Sequence, residues 1–257
     1  MKINKNLKTL GVATTMLTCF VLGGSVTSYA ADGGEYQSNA IIEFEAATDI
    51  ITPPVDPTDP GTPVDPVDPT DPNGPKPGTP GPLSIDYASS LDFGKQKITS
   101  TNQVYKAKAQ KFKKRGDGPN YVQVTDNRGT EKGWSLQVKQ NGQFKSASGN
   151  VLTGAEITFN NGSVNTASAS PKPSIAKSTF SLKPDGTGVA ENIMAAKAGE
   201  GSGTYVLAFG DDNTAADSIE LSIPGATTKY AEKYSTTLTW TLADVPEEDG
   251  EKEQGNE

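Results

Sequence analysis

Trp134-Ser135-Leu136-Gln137-Val138 and Leu238-Thr239-Trp240-Thr241-Leu242 are the two stretches whose reading decides the fold. In both, a large apolar residue alternates with a polar one. Successive side chains of a strand point to opposite faces, whereas a helix repeats every 3.6 residues. Each stretch therefore reads as a strand with tryptophan and its aliphatic neighbours on one face, and serine, glutamine or threonine on the other. Strands with one covered and one wet face belong to antiparallel sheets.

The same grammar extends over 83–243. Short runs rich in Val, Ile, Thr, Tyr and Phe are separated by turn signals such as Asp117-Gly118, Asn141-Gly142, Asn161-Gly162 and Asp185-Gly186. Strands are expected at 83–86, 104–109, 121–126, 134–140, 156–160, 174–182, 204–209, 218–223 and 234–242. About nine short strands with frequent turns predict an all-β domain, an antiparallel sandwich or barrel. The run Ala-Glu-Asn-Ile-Met-Ala-Ala-Lys at 190–197 is the one candidate for a short helix.

Composition excludes several chemistries. The 257 residues contain no histidine and a single cysteine, so Ser-His-Asp and Cys-His nucleophilic machinery and His/Cys zinc sites are not available. A formal charge of −8 argues against a general nucleic-acid binder. No cofactor is expected. Asp211-Asp212-Asn213 and Asp185-Gly186 have oxygen ligands for calcium, but Asp/Asn-rich turns are usually only turns, so no metal is expected either. A carboxylate hydrolase stays open only as a remote alternative, because no pair of acids can be placed across a cleft from sequence.

The termini differ from the middle. Lys2, Lys5 and Lys8 precede an apolar stretch that ends in Ser28-Tyr29-Ala30, which reads as a signal peptide (1–30) cleaved between Ala30 and Ala31. Its removal takes away Cys19, so no disulfide is expected, and it leaves no transmembrane segment in the mature chain. Leu242-Ala243-Asp244-Val245-Pro246 runs into an acidic tail (244–257) and not a sorting signal, so surface retention is expected to be non-covalent. Residues 31–50 form a short segment with one candidate strand, Asn39-Ala40-Ile41-Ile42-Glu43-Phe44-Glu45. Residues 51–82 hold 12 of the 18 prolines in an imperfect Val/Thr-Asp-Pro repeat. Such a segment is expected to be an extended polyproline II spacer of about 90 Å.

Charge is segregated along the chain. Residues 31–75 carry ten acids and no base, while 95–115 carry eight bases and no acid. Lys106 and Lys108, like Lys111 and Lys113, are spaced so that each pair shares a strand face. Two readings stand: a contact strip for anionic polymers, or an edge strand guarded by lysine against aggregation.

The order of parts is specific where a bare Trp-x-Leu is not. A leader, a short strand, an Asp-Pro segment, Leu83-Ser84-Ile85-Asp86-Tyr87, Leu91-Asp92-Phe93-Gly94 and Tyr121-Val122-Gln123-Val124-Thr125-Asp126-Asn127-Arg128 precede and lead into two Trp-x-Leu motifs 106 residues apart. This arrangement closely resembles the WxL-domain cell-surface proteins of low-GC Gram-positive bacteria, with 83–243 as the WxL domain. The acidic tail is a departure, since the second motif usually lies nearer the chain end. The resemblance implies a non-catalytic secreted surface protein that attaches non-covalently to the cell wall. Peptidoglycan or an associated polymer is the implied receptor, and other surface proteins are the implied partners. It also implies that Trp134, Leu136, Trp240 and Leu242 form the binding motif. Two readings of the tryptophans follow: a platform exposed to sugars or to a partner, or residues of the core on the inward face of their strands.

Overall fold

The structure, a computed structural model, describes residues 35–48, 50–182 and 191–244. The expected leader with its Ala30/Ala31 cleavage, the Asp185-Gly186 turn and the tail beyond 244 lie outside the described residues. Alternating runs become fourteen strands: β1 (Leu83–Ala88), β2 (Gln103–Lys106), β3 (Asn120–Asp126), β4 (Trp134–Gln140), β5 (Lys145–Ser146), β6 (Glu156–Phe159), β7 (Gly162–Asn165), β8 (Ile175–Ala176), β9 (Phe180–Ser181), β10 (Glu191–Ala196), β11 (Gly203–Phe209), β12 (Ile219–Ile223), β13 (Tyr234–Ser235) and β14 (Leu238–Asp244). All pairings are antiparallel, in the orders β1-β3-β11-β7, β14-β4-β10-β8, β2-β12-β6-β9 and β13-β5. The fold is all-β and sandwich-like, and no sheet closes into a barrel.

The main core lies where the inward faces of the first three sheets meet. Trp134, Leu136 and Val138 of β4 pack there with Val122 and Val124 of β3, Tyr205, Leu207 and Phe209 of β11, and Ile157 and Phe159 of β6. Phe159 stacks on Phe180 with ring centroids 4.7 Å apart and meets Phe209 at 4.8 Å.

Two expectations are corrected here. The run at 190–197 is not helical where it is described: Glu191–Ala196 is β10, held between β4 and β8. Its helix-forming composition yields to burial, because Ile193 and Met194 are fully enclosed and a helix there would break two ladders. The segment at 39–45 forms no strand. Ile41, Ile42 and Phe44 are exposed, in keeping with the marginal stability of a lone strand. The chain divides between Glu43 and Phe44 into a short leading unit and the main body.

The proline-rich segment does not stand off as a spacer. It lies as a strap on the outer face of the β1-β3-β11-β7 sheet. Gln123 of β3 accepts a hydrogen bond from Val55 N at 2.8 Å and donates to Pro53 O at 3.1 Å. Asn165 of β7 donates to Pro57 O at 2.7 Å. Further on, Val67 N donates to Lys111 O and Lys113 N to Asp65 O, flanking a bridge between Pro66 and Phe112. Val55 and Val64 close over a second apolar cluster of Tyr87, Phe112, Tyr121, Val206 and Ala208. This explains why β3, whose sequence predicts one wet face, is buried along its whole length. Proline suits the role because its fixed φ lowers the entropy lost when the segment docks.

The strap takes up part of the segregated charge. Arg115 donates to Asp56 at 2.5 Å and to Asp212 at 2.6 Å, with its guanidinium 4.9 Å from the Phe112 ring centroid. Lys114 lies 3.5 Å from Asp65. Acidic strap and basic arm are complementary within one chain.

Cutting the chain at residue 83, where the domain was expected to begin, would strip Val55 and Val64 from this cluster. Loss of about 2 kcal/mol or more is expected, read as a lower urea midpoint for 83–257 than for 31–257. Equal midpoints would show the strap to be energetically idle. The docking is also acid-sensitive. Burial alone would raise the Asp68 carboxyl, but hydrogen bonds from Thr70, Ser90 and Asp71 outweigh it and hold the group below its ordinary value. A lowered folded-state pKa stabilises above the unfolded value and is lost as pH falls through the folded one. The Ser90-to-Asp68 tether, at 2.9 Å, therefore weakens on acidification below the ordinary aspartate range.

Candidate functional site

The two Trp-x-Leu motifs, 106 residues apart in sequence, are neighbouring strands. β14 pairs with β4 so that Trp240 faces Val138, Leu242 faces Leu136 and Asp244 faces Trp134. The sequence made both strands legible but carried no signal that they were partners.

The two halves of the motif are unlike. Trp134 is 1% exposed and Leu136 is fully enclosed. The Trp134 indole Nε1–H donates to Gly201 O at 2.9 Å, and its ring packs against Tyr205 with centroids 6.2 Å apart. Gly201 makes room for the indole, and Gly133 lets the strand start close against the β10 backbone. Gly201 has φ +78°, and a Cβ there would lie 2.6 Å from the indole nitrogen. Gly133 has φ +88°, and its Cβ would lie 2.3 Å from Ala196 O. For the first motif, the core reading of the tryptophan holds. Trp240 and Leu242, by contrast, are only partly buried, with Leu238 beside them and Thr239 and Thr241 facing out. β14 ends its sheet, and β1 lies close to it with no backbone hydrogen bond between the two.

Arg128 ties this end of the pair together, a role that sequence reading missed. It donates from Nε and Nη2 to the two oxygens of Asp126 at 2.9 and 2.8 Å, and from Nη2 to Gly133 O at 2.6 Å. Its Nη1 bridges to Asp244 at the end of β14. The Asp126 side chain is 1% exposed. Hydrogen bonding to Asp126, opposed by burial and reinforced by Asp244, raises the guanidinium pKa still further. The Asp126-Asn127-Arg128 turn just ahead of Gly133-Trp134 was the only available signal.

The basic strip is exposed, and half of it is taken up in ion pairs. Lys106 pairs with Glu220, and Lys108 with Asp92 at 2.7 Å. Lys111 and Lys113 alternate about buried Phe112, as their spacing predicted, and have no carboxylate within ion-pair distance among the described residues. Asp211 accepts from Asn213 N, Thr214 N and Thr214 Oγ1. That is a closed turn, and no group of three or more metal-ligating side chains occurs among the described residues. No described helix is long and apolar enough to cross a membrane.

Comparison with known families decides the matter. Residues 31–246 match the WxL domain, described as surface cell wall-binding. The chain belongs to the WxL family. No curated protein and no solved structure matches it significantly. The family is a wall-binding one, not a catalytic one. Within this WxL domain the motif's first half builds the core and its second half lies on the edge strand of the same sheet.

Proposed function

We propose that this WxL domain holds the protein non-covalently on the cell wall by direct contact with peptidoglycan or an associated glycan. The contact is made by the Trp240 side of β14 and not by Trp134. The observation that carries this reading is the asymmetry of the motif: Trp134 and Leu136 are enclosed, while Trp240 and Leu242 sit partly open on an edge strand. An indole there offers a flat apolar face to a sugar ring. Lys111 and Lys113 supply the remaining positive charge. With Lys106 and Lys108 already paired, the salt dependence is shallow.

A second reading has its own support. A seven-residue edge strand suits a wall-bound protein partner as well as a glycan, in keeping with a multi-component surface complex. Protein-stripped cell walls separate the two. Purified 31–257 is expected to sediment with washed, protein-free walls, and Trp240→Ala is expected to weaken this about tenfold while the fold survives. Capture by untreated walls only would replace glycan binding with a protein receptor. Release of reducing sugar would instead reinstate hydrolysis.

A further inference from the structure

Sheet edges expose unpaired backbone groups, and soluble proteins blunt them with lysine, proline, bulges or covering loops. Most long edges here are blunted. Thr79 covers β1: its N donates to Ile85 O at 2.8 Å, and its hydroxyl accepts from Ile85 N at 2.9 Å. β7 is covered by the strap at Asn165 and by Lys172, which donates to Val164 O at 2.6 Å. β2 carries Lys106, and Lys108 N just beyond it bonds to Asp92 O. Among the described residues, β14 carries no lysine, proline or hydrogen-bonded cover over Leu238-Thr239-Trp240-Thr241-Leu242, although β1 lies close by.

Its backbone phase is set by Asn141 N, which donates to Thr237 O at 2.9 Å. In an antiparallel ladder, hydrogen-bonded pairs recur every second residue. Thr239 and Thr241 therefore bond toward β4, and the N–H and C=O groups of Leu238, Trp240 and Leu242 point to the open side. The side chains of those same three residues are the partly covered ones. A strand added there would satisfy the backbone of all three and extend the apolar layer over them.

One segment of this chain has the matching pattern and, among the described residues, no strand pairing of its own. Residues 39–45 form no regular element, with Ile41 98%, Ile42 75% and Phe44 86% exposed. We propose that residues 39–45 of one molecule add as an antiparallel strand to β14 of a second copy, with Ile42 opposite Trp240. That register sets Phe44 against Leu238 and Ala40 against Leu242. It puts Glu43 opposite Thr239, whose other neighbour across the sheet is the exposed Lys139. Asp244 meets Ser38 and no carboxylate. Donor and acceptor are different surfaces, so the contact is head-to-tail and propagates into chains of molecules.

The mature chain's freedom from cysteine makes the test direct. Mixing a chain carrying Glu43→Cys with one carrying Thr239→Cys under mild oxidation is expected to give a disulfide-linked heterodimer. Glu43→Cys mixed with Thr241→Cys, one step out of phase, is expected to link at least tenfold less. Light scattering of 31–257 is expected to show concentration-dependent oligomers that vanish when 31–47 is deleted. Equal linking at both positions, or oligomers that persist after the deletion, would overturn the proposal. So would linking within one chain carrying both Glu43→Cys and Thr239→Cys at dilution, because the strand would then be added in cis. All three cysteine positions are exposed, so failure to fold does not cloud the result.

Discussion

Trp134→Ala is expected to cost about 3–5 kcal/mol, a large share of the roughly 5–15 kcal/mol that holds a domain together. The indole is enclosed by Ala196, Gly201 and Tyr205, and its removal leaves a cavity and an unpaired Gly201 carbonyl. Trp134→Phe keeps much of the volume but still orphans that carbonyl, which costs about 1–3 kcal/mol. Trp240→Ala is expected to cost less than either alanine or phenylalanine at 134, since edge strand β14 buries its side chains only in part. Urea unfolding followed by circular dichroism checks the order, and fluorescence is avoided because the chain has only two tryptophans. Equal losses at 134 and 240 would refute the division of the motif into core and contact halves. Wall-binding assays on Trp134→Ala alone report unfolding, so binding is tested at Trp240.

The second large effect is at Arg128. Arg128→Ala strands the Asp126 carboxylate in the interior, and breaking such a pair from one side costs about 3–5 kcal/mol. It also releases Gly133 O and the Asp244 end of β14. Arg128→Lys is expected to restore only part of this, because a single ammonium cannot span both Asp126 oxygens and the carbonyl. The double variant Asp126→Ala/Arg128→Ala is expected to be more stable than Arg128→Ala, since no unpaired charge then remains buried. A double variant as unstable as the sum of the two single ones would show that no coupling exists.

Local pattern made the strands legible and hid their neighbours. Trp134–Gln140 was readable to the residue because alternation is a property of adjacent positions. β10 was misread because Ala, Glu and Met favour helix locally, and its place between β4 and β8 is decided by residues far along the chain. The strap was misread for a related reason. Proline excludes it from the ladders, and nothing local announces that Gln123, 68 residues beyond Val55, will hold it down. The charge blocks at 31–75 and 95–115 did carry part of that information, since Arg115 meets Asp56 and Lys114 meets Asp65. At the site, the motif residues were found, but the supports of Trp134, namely Gly133, Gly201 and Arg128, were not. Each acts through a backbone contact that residue type alone does not reveal.

The pairing of β4 with β14 has a consequence for how the molecule comes into being. A chain emerges from its amino end, so β4 is present about a hundred residues before the strand that will flank it. Closing a loop of that length is entropically costly and slow compared with local hairpins. Until then the Trp134 strand has one side unpartnered, and Asp244 is missing from Arg128's set of partners. Completion of this sheet is thus tied to arrival of nearly the last described residues.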